Sequence, residues 1–543
     1  MEAFANGCSP GDPIGLVMIG FGGSEPTPEL EALIRQGLAG VILFARNLVD
    51  AAQTAELTAS LQACAVEAGH PPLLICTDQE GGRVRRLRRG LTAFPSAMAL
   101  GAAGDPDQVY GLSSAVAREL LSVGINLNLA PCADVNSDPR NPVIGTRSYG
   151  GDPFAVGRMV AAAVRGYQDG GVLACAKHFP GHGHTDLDSH LTLPVIDRGL
   201  DELRRRELVP FAAAVSAGAA AVMSAHIVVP ELGGDVPATL SPRLLTGLLR
   251  GELGHDGLIL TDCMEMAAVR SFGAGEASTR AVAAGADLVL WSHTPLLQLE
   301  AISALRAAAG GFALPPGLVT DRLGRVRRAR LGLVSRAKAA EPAEIRSRAE
   351  AFLGGSGSGV LERSQRLALA AVTRVGGWPE GAAGCIALPR ERSVLLIDLT
   401  GLSGTPEEPA PGLHLAAQLC RRGFAVRLAG NVNARASERA GAGHASGSLQ
   451  QVLPSGDASI VCLTHDACLK PDQAVAYRTV RSSCPGLISV ATGLPYDLAW
   501  LAEAASGLGL CAYDPGPACM EACAGILCGE SPPRGSLPVK LDG

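Results

Sequence analysis

The sequence predicts an α/β protein, in which an N-terminal (β/α)₈ TIM barrel precedes a smaller three-layer α/β domain with a mainly parallel sheet. Within the first 335 residues, eight short apolar runs alternate with longer helical stretches. Each run is almost continuously apolar, as parallel strands buried on both faces are. The length of 543 residues also exceeds what one hydrophobic core usually serves, so two domains are expected.

Eight alternations of strand and helix favour a closed barrel. The predicted strands are Leu16–Phe21, Gly40–Phe44, Leu73–Asp78, Ile125–Pro131, Leu173–His178, Ala221–His226, Leu258–Asp262 and Asp287–Trp291. The clearest helical stretches are Leu30–Gly37, Ala51–Glu67, Pro153–Asp169, Leu200–Ser216 and Pro242–Glu252. The alternative is an open doubly wound sheet, which usually has a Gly-rich phosphate loop after its first strand. The turn FGGS at 21–24 lacks that pattern.

A glycine- and serine-rich segment, GGSGSG at 354–359, interrupts the chain after the barrel. We divide the sequence into a barrel at 1–335, a helical linker at 336–380 and an α/β sandwich domain at 381–543. The strands predicted for the second domain are Ser393–Leu399, Ala425–Ala429, Ala458–Thr464, Leu487–Ala491 and Leu508–Ala512. The polar region 429–447 is predicted to be a loop.

The composition argues against nucleic-acid and membrane partners. Charged residues reach 18%, both signs are mixed and the formal net charge is -6, so no basic face is expected. No apolar run reaches transmembrane length, and the N-terminus lacks the pattern of a secretory signal. An odd number of scattered cysteines, 15, is typical of a reducing compartment. We therefore expect a cytoplasmic protein without membrane contact, and the sequence is compatible with a homodimer.

Titratable side chains follow the predicted barrel strands. They are Asp78 and Glu80 after the third strand, Asp134 and Arg147 after the fourth, Lys177 and His178 at the fifth, His226 at the sixth and Asp262 at the seventh. The carboxyl ends of barrel strands meet at one face, where active sites form. Charges that serve only solubility would be spread over both faces. The convergence therefore predicts an active site.

The densest polar cluster is KHFPGHGHTDLDSH at 177–190. Pro180, Gly181 and Gly183 exclude a regular helix and predict a structured loop. Asp188 and His190 are two positions apart, so in extended backbone their side chains project to the same side and can hydrogen-bond. That pairing suits a histidine that acts as a general acid near neutral pH. The simpler alternative is a solvated polar loop.

A metal site is the second alternative for this loop, because it holds four histidines and two aspartates. Their spacing matches no standard zinc pattern, and no HExxH helix is present. Cys519 and Cys523 could form half of another metal site, but no second pair stands at ligand spacing. We therefore predict neither a metal ion nor an organic cofactor.

Asp262 ends an apolar strand that otherwise has no place for a charge. A structural aspartate buried there would need several hydrogen bonds. A carboxylate at the mouth of a barrel can instead face a developing oxocarbenium ion and serve as the nucleophile of a double displacement.

These motifs resemble glycoside hydrolase family 3, in particular the two-domain form of its β-N-acetylglucosaminidase branch. The matching blocks are TDQEGGRVRR at 77–86, IGTRSYG at 144–150, the loop at 177–190 and ATLSPRLLTGLLRGELGHDGLILTDCMEM at 238–266. In the second domain, ATGLPYDL at 491–498 and GSLPVKL at 535–541 continue the resemblance. The chain departs from the family pattern at His184, where an acidic or small residue is common, and at Cys263.

The resemblance implies a role for each matching position. Asp262 corresponds to the nucleophile, and His190 with Asp188 corresponds to the general acid/base pair. The residues implied to bind the hydroxyls of the terminal sugar are Asp78, Arg86, Arg147, Lys177 and His178. His226 is expected to line the same pocket, whereas His182 and His184 have no assigned role and are interpreted as structural.

The implied function is that of a retaining exo-β-N-acetylglucosaminidase, an enzyme of the β-N-acetylhexosaminidase type, acting on oligosaccharides or cell-wall fragments through a covalent glycosyl-aspartate. A role in peptidoglycan recycling or in the use of chitin fragments would follow. Three alternatives remain open: a phosphorylase using the same site, a β-glucosidase or β-xylosidase, and a non-catalytic sugar-binding sensor.

Overall fold

The computed structural model describes residues 11–185, 193–335, 341–355, 359–376, 387–402, 410–429, 458–484, 486–499 and 507–541. Eight parallel strands close a barrel: β1 Val17–Ile19, β2 Gly40–Ile42, β3 Leu74–Thr77, β4 Leu127–Asn128, β5 Leu173–Phe179, β6 Ala221–Ser224, β7 Leu258–Cys263 and β8 Leu288–Trp291. They pair in chain order, and β8 pairs with β1. The predicted TIM barrel is confirmed, and each predicted run coincides with one barrel strand.

Helices surround the barrel, and several of them begin at a residue whose side chain caps the first turn. The longer helices of this part are Pro28–Arg35, Ala51–Glu67, Ala97–Ala103, Pro106–Ser122, Pro153–Asp169, Leu200–Arg205, Leu208–Ser216, Arg243–Glu252, Ala274–Ala284, Pro295–Ala308 and Pro316–Ser335. Short helical turns are Pro13–Leu16, Gly145–Arg147, Pro230–Gly233, Ala238–Leu240 and Ala267–Arg270. Asp50 and Asp152 show the capping: each side chain accepts a hydrogen bond from a backbone N–H of the first turn, which has no partner within the helix.

The predicted helix Leu200–Ser216 is two helices in the structure. Arg206 leaves the helical conformation, with φ -133° and ψ -77°. Its guanidinium contacts the buried Glu207 carboxylate, at 3.0 Å from Nε to Oε1, and the imidazole of His184, at 3.2 Å from Nη2 to Nδ1. The break thus turns a cation towards the loop that follows β5.

The second domain is built on a six-stranded sheet, and its predicted α/β class is confirmed. The strands are β9 Thr373–Gly376, β10 Val394–Asp398, β11 Val426–Ala429, β12 Ser459–Thr464, β13 Ile488–Ala491 and β14 Leu508–Cys511, in the spatial order β9-β14-β13-β12-β10-β11. Only β9 is antiparallel among these strands. This strand lies within the range predicted as a helical linker. The sequence did not reveal it, because a strand this short and this polar cannot be recognised alone.

Helices precede the second sheet, connect several of its strands and follow its last strand. They are Pro342–Leu353, Val360–Ala371, Pro411–Arg421, Pro471–Ser483 and Pro517–Leu527, with short turns at Ala467–Leu469 and Pro495–Leu498. Most of the predicted loop 429–447 lies outside the described residues. No helix in the described part of the chain is both long and apolar enough to cross a membrane.

The two domains contact each other near the carboxyl ends of the strands of the second sheet. The Ser96 hydroxyl donates to the Tyr513 carbonyl at 2.8 Å, and the Asn136 amide donates to the Tyr496 hydroxyl at 2.9 Å. Leu494 packs close to Gly145, beside the short helical turn that carries Arg147. The second domain therefore supports barrel loops from the side on which the predicted site lies.

Candidate active site

A cavity of about 310 Å³ opens at the carboxyl ends of the barrel strands. Six of the predicted site residues line it: Asp78, Arg86, Arg147, Lys177, His178 and Asp262. They come from segments that are far apart in the sequence, and closure of the barrel brings them together. Its apolar lining includes Ile42, Leu129 and Met223. Apolar walls with a few fixed polar groups are typical of small-molecule sites.

The predicted acid/base pair, Asp188 and His190, lies outside the described residues. The described part of the same loop ends at Thr185, whose hydroxyl lies 2.8 Å from Nδ1 of His182. The Asn141 amide donates to the His182 carbonyl at 2.8 Å. His182, which the sequence gave no catalytic role, also lines the cavity. These contacts hold the start of the loop against the segment that follows β4.

A buried ion network forms the floor of the cavity, with Glu80 at its centre. Arg147 binds the Glu80 carboxylate in a bidentate manner, from Nε to Oε2 and from Nη2 to Oε1, both at 2.8 Å. Lys177 Nζ lies 2.6 Å from Oε1 of Glu80 and 2.7 Å from Oδ1 of Asp78. Arg86 extends the network to Asp78 at 3.4 Å. Cations and carboxylates thus alternate, as burial of several charges requires.

The network shifts the titration of its members. Burial raises the pKa of Glu80, but the guanidinium of Arg147 and the ammonium of Lys177 outweigh it and hold this pKa well below its usual range. Burial lowers the pKa of Lys177, but the carboxylates of Asp78 and Glu80 outweigh it and raise this pKa above its usual range. Both groups therefore stay charged around neutral pH.

His178 is held in one tautomer by its two neighbours. Arg147 Nη2 lies 3.2 Å from His178 Nε2, and a guanidinium can only donate, so Nε2 accepts. Nδ1 therefore carries a proton and donates to Oδ2 of Asp134 at 2.8 Å. Asp134 is fully buried and also accepts from the backbone N–H groups of His178 and His182. This carboxylate orients the imidazole at the cavity wall.

Cys132 completes this cluster, because its thiol donates to Oδ2 of Asp134 at 3.1 Å. Among the described residues, Cys132, Asp134 and His178 are the group whose donor atoms lie close enough to share a metal ion, within 4.8 Å of one another. Burial, together with the charge of Asp134, raises the pKa of the Cys132 thiol. The thiol therefore stays protonated, and Cys132 and Asp134 form a hydrogen-bonded support for His178.

Asp262 lies at the end of β7 and lines the same cavity as the ion network. Its Oδ1 accepts from the Cys263 backbone N–H at 2.7 Å. Burial raises the pKa of this carboxyl, but the imidazoles of His178 and His226, the Cys263 N–H and Lys177 together hold it below its ordinary value. The carboxylate is thus ionised at neutral pH, which a nucleophile requires.

His226 lies beside this carboxylate and is not part of the cavity lining. Its Nε2 donates to the Cys263 carbonyl at 3.0 Å, and its Nδ1 lies 2.9 Å from the Thr239 hydroxyl. The imidazole is buried and fixes the backbone that follows Asp262. The sequence placed it on the pocket wall; the structure places it behind that wall.

The sequence gave several lining residues no individual role. Glu80 stands two positions after Asp78, and Glu265 stands three positions after Asp262, but their contacts depend on other barrel strands. Phe44 after β2 and His293 after β8 carried no recognised motif, and both line the cavity. Glu80 and Glu265 lie within blocks that resemble the family, whereas the only sequence signal for Phe44 and His293 was their position at or just beyond the end of a strand.

The backbone around the site contains three cis peptide bonds, at Ala130-Pro131, Lys177-His178 and Phe179-Pro180. Lys177 and His178 are adjacent in sequence, and both line the cavity.

Comparison with known proteins agrees with this geometry. The sequence model described as "Glycosyl hydrolase family 3 N terminal domain" matches residues 15–329. A "Beta-hexosaminidase" of Stenotrophomonas maltophilia (strain K279a) is 40% identical over 312 residues, which cover 56% of this chain and 91% of that protein. "Beta-hexosaminidase A" of Pseudoalteromonas piscicida is 41% identical over 285 residues, covering 48% and 47%.

The similarity to a solved structure extends over both domains. A glycoside hydrolase family 3 beta-N-acetylglucosaminidase from Paenibacillus sp. str. FPU-7 superposes with a TM-score of 0.83 at 36% identity, and 98% of each chain is covered. The matched family thus includes proteins with the same two-domain architecture.

Proposed function

The chain belongs to glycosyl hydrolase family 3, and we propose that it is a retaining exo-β-N-acetylglucosaminidase. Family membership makes it a glycoside hydrolase. The names of its relatives, beta-hexosaminidase and beta-N-acetylglucosaminidase, support a terminal β-linked N-acetylglucosamine as the substrate. The structural observation that carries the proposal is the ionised Asp262 carboxylate, which lines the same cavity as a buried network of charged hydrogen-bonding groups.

The floor of the cavity suits the hydroxyls of one terminal sugar. Asp78 supplies a carboxylate acceptor, and Arg86, Arg147 and Lys177 supply charged donors. Charge-assisted hydrogen bonds of this kind are stronger than neutral ones, and their geometry is fixed by the ion network. A sugar held there would present its anomeric carbon to the Asp262 carboxylate.

The chemistry then follows two displacements. Asp262 attacks the anomeric carbon while the charged imidazole of His190, paired with Asp188, protonates the departing oxygen. The bond to the leaving group breaks, and a glycosyl ester with Asp262 forms. Neutral His190 then removes a proton from water, whose oxygen attacks the anomeric carbon. The bond to the Asp262 carboxylate breaks, and the sugar is released with retained configuration. The roles of Asp188 and His190 rest on the family motif in the sequence.

The first test is turnover of paired aryl β-glycosides, the N-acetylglucosaminide against the glucoside. We expect cleavage of the acetylated substrate and release of the β-anomer, detected by proton NMR before mutarotation. Replacing Asp262 by Ala should lower kcat by at least about 10³-fold. Added azide should restore turnover of that variant and give the glycosyl azide of inverted configuration.

Asp256→Asn is the matched control, because Asp256 is exposed and lies six positions earlier in the chain. It should keep full activity. Full activity in Asp262→Ala would contradict the proposed nucleophile. Repeating the wild-type assay with inorganic phosphate tests the phosphorylase alternative, since a phosphorylase would form sugar 1-phosphate.

We further propose that the substrates are fragments of cell wall or chitin and that the enzyme acts in the cytoplasm. The thirteen cysteines in the described part of the chain are all free thiols, and most are buried, which supports a reducing compartment. Cell fractionation and a comparison of muropeptide and chitin disaccharides as substrates would test both points.

A further inference from the structure

Two rings stand next to each other at the rim of the cavity. Phe44 follows β2 and His293 follows β8, and their ring centroids are 5.2 Å apart with an interplanar angle of 34°. Both residues line the cavity. At this distance the two rings cannot lie side by side in one plane, so they partly stack, and the imidazole packs against the phenyl ring beside the opening.

Arg46 fixes both rings. Its guanidinium carbon lies 4.5 Å from the centroid of Phe44, and its Nη1 lies 3.1 Å from Nδ1 of His293. Its other nitrogens donate to the carbonyls of Phe21 at 2.8 Å and Ser292 at 2.6 Å. The arginine therefore has no freedom to leave the rings, and its cation favours the face of the phenyl ring.

Glu265 fixes the backbone that carries the imidazole. Its Oε1 accepts from the His293 N–H at 2.5 Å, and its Oε2 accepts from the Thr294 hydroxyl at 2.6 Å. Contacts that hold a binding surface in place before the ligand arrives reduce the entropy lost on binding. Arg46 and Glu265 thus hold the two rings in position before a ligand binds.

The imidazole has one unused donor. A guanidinium can only donate, so Nδ1 of His293 accepts from Arg46, and the proton of the neutral ring is on Nε2. Among the described residues, no hydrogen-bond partner of Nε2 is present. Burial, with the charge of Arg46, lowers the pKa of His293, so the neutral form prevails near neutral pH.

The position of these rings relative to the floor decides what they can contact. The side chains of Lys177 and Glu80 are 2% and 5% exposed, whereas His293 is exposed to solvent at the opening. A terminal sugar seated on the ion network would fill the floor, so the part of the substrate beyond the scissile bond must pass the rim. An exposed imidazole with an adjacent donor suits the apolar face and a hydroxyl of a second sugar ring.

We propose that the imidazole of His293, stacked on Phe44, forms a platform that binds the leaving-group sugar, and that His293 thereby selects for glycoside leaving groups over small ones. This inference rests on the proposed function, since it concerns the leaving group of the same reaction. Contacts between this second sugar and the platform lower the free energy of the transition state and so contribute to kcat/KM for the disaccharide. A substrate whose leaving group cannot reach the rim gains nothing from the platform.

The test compares two substrates of His293→Ala and the wild type. N,N′-diacetylchitobiose has a sugar as its leaving group, and 2-acetamido-2-deoxy-β-glucosyl fluoride has a single atom. We expect kcat/KM for the disaccharide to fall about five- to tenfold, the size of a lost stacking contact, and kcat/KM for the fluoride to stay within about twofold. Phe44→Leu should show the same split, and His293→Phe should retain part of the disaccharide rate.

Leu296→Ala is the matched control, since Leu296 lies three positions further on, is 77% exposed and does not line the cavity. It should change neither substrate. Equal losses on both substrates would overturn the inference, because His293 would then act on the terminal sugar or on folding. Unchanged rates on both would overturn it as well. A wild type that cleaves neither substrate would refute the proposed function and, with it, this inference.

Discussion

Replacing Glu80 by Gln tests whether the buried ion network stabilises the barrel and orients the residues proposed to bind the sugar. The substitution preserves the shape of the side chain but removes its charge. Arg147 then loses a bidentate partner and Lys177 loses one of its two carboxylates. Both cations remain buried, with side chains only 13% and 2% exposed.

The expected cost follows from the geometry. At an effective dielectric constant of about 20, each cation about 4 Å from the carboxylate centre contributes about 4 kcal/mol, or about 8 kcal/mol for two. Burying a neutral amide instead of a carboxylate recovers several kcal/mol. We therefore expect the free energy of unfolding to fall by about 3 to 5 kcal/mol. We also expect kcat/KM to fall by about 10²-fold, because Arg147 and Lys177 lose their fixed positions.

The measurement is urea denaturation followed by fluorescence, with Trp378 and Trp500 replaced by Phe so that Trp291 in β8 reports on the barrel. Glu252→Gln is the matched control. Arg204 binds Glu252 in the same bidentate manner, at 2.8 and 2.9 Å, but the two side chains are 44% and 43% exposed. Its loss should cost far less, because solvent screens an exposed ion pair. Equal costs for the two variants would refute the reasoning, because burial would then make no difference.

The pH dependence gives an independent check. The pKa of Glu80 is held well below its usual range by Arg147 and Lys177, against the effect of burial. The stabilisation by Glu80 is therefore fully present above its ordinary pKa of about 4.3 and is lost as the pH falls towards the lower native value. The difference between wild type and Glu80→Gln should be constant from about pH 8 to 5 and should shrink below about pH 4.

Three further predictions concern the walls of the site. Burial lowers the pKa of His182 to about 4, so the folded state favours the neutral ring. The free energy of unfolding should therefore fall by up to about 3 kcal/mol between about pH 6.5 and 4, and His182→Asn should lack this dependence on pH. In Gly183→Ala the new Cβ would lie 1.7 Å from the Val135 carbonyl oxygen, so we expect the free energy of unfolding to fall by more than about 2 kcal/mol and activity to be lost. Gly317→Ala, where no atom lies within 4 Å of the new Cβ, should be neutral or stabilising in thermal melts. Asp134→Asn places an amide among N–H donors, so it should lower the free energy of unfolding by about 3 kcal/mol and remove most of kcat/KM. Unchanged kinetics would show that His178 does not need to be oriented by Asp134.

The sequence alone determined the architecture. Parallel strands buried on both faces must be continuously apolar, so eight such runs separated by helical stretches specify a barrel with little ambiguity. The same order placed Asp78, Lys177 and Asp262 at one face, because each lies at the carboxyl end of a strand or directly after it. The short antiparallel strand Thr373–Gly376 was not recognised, since four residues with alternating exposure give too weak a pattern.

Only the tertiary structure decided which of these side chains contact each other. Glu80 and Arg147 are 67 positions apart, and Arg46 and His293 are 247 apart. No local periodicity reports such pairs, because barrel closure sets the distance between neighbouring strand ends. The structure also placed His226 behind the wall of the cavity, where it hydrogen-bonds to the backbone after Asp262. Chain order thus fixes the face on which a residue lies, whereas packing around the closed barrel fixes its partners.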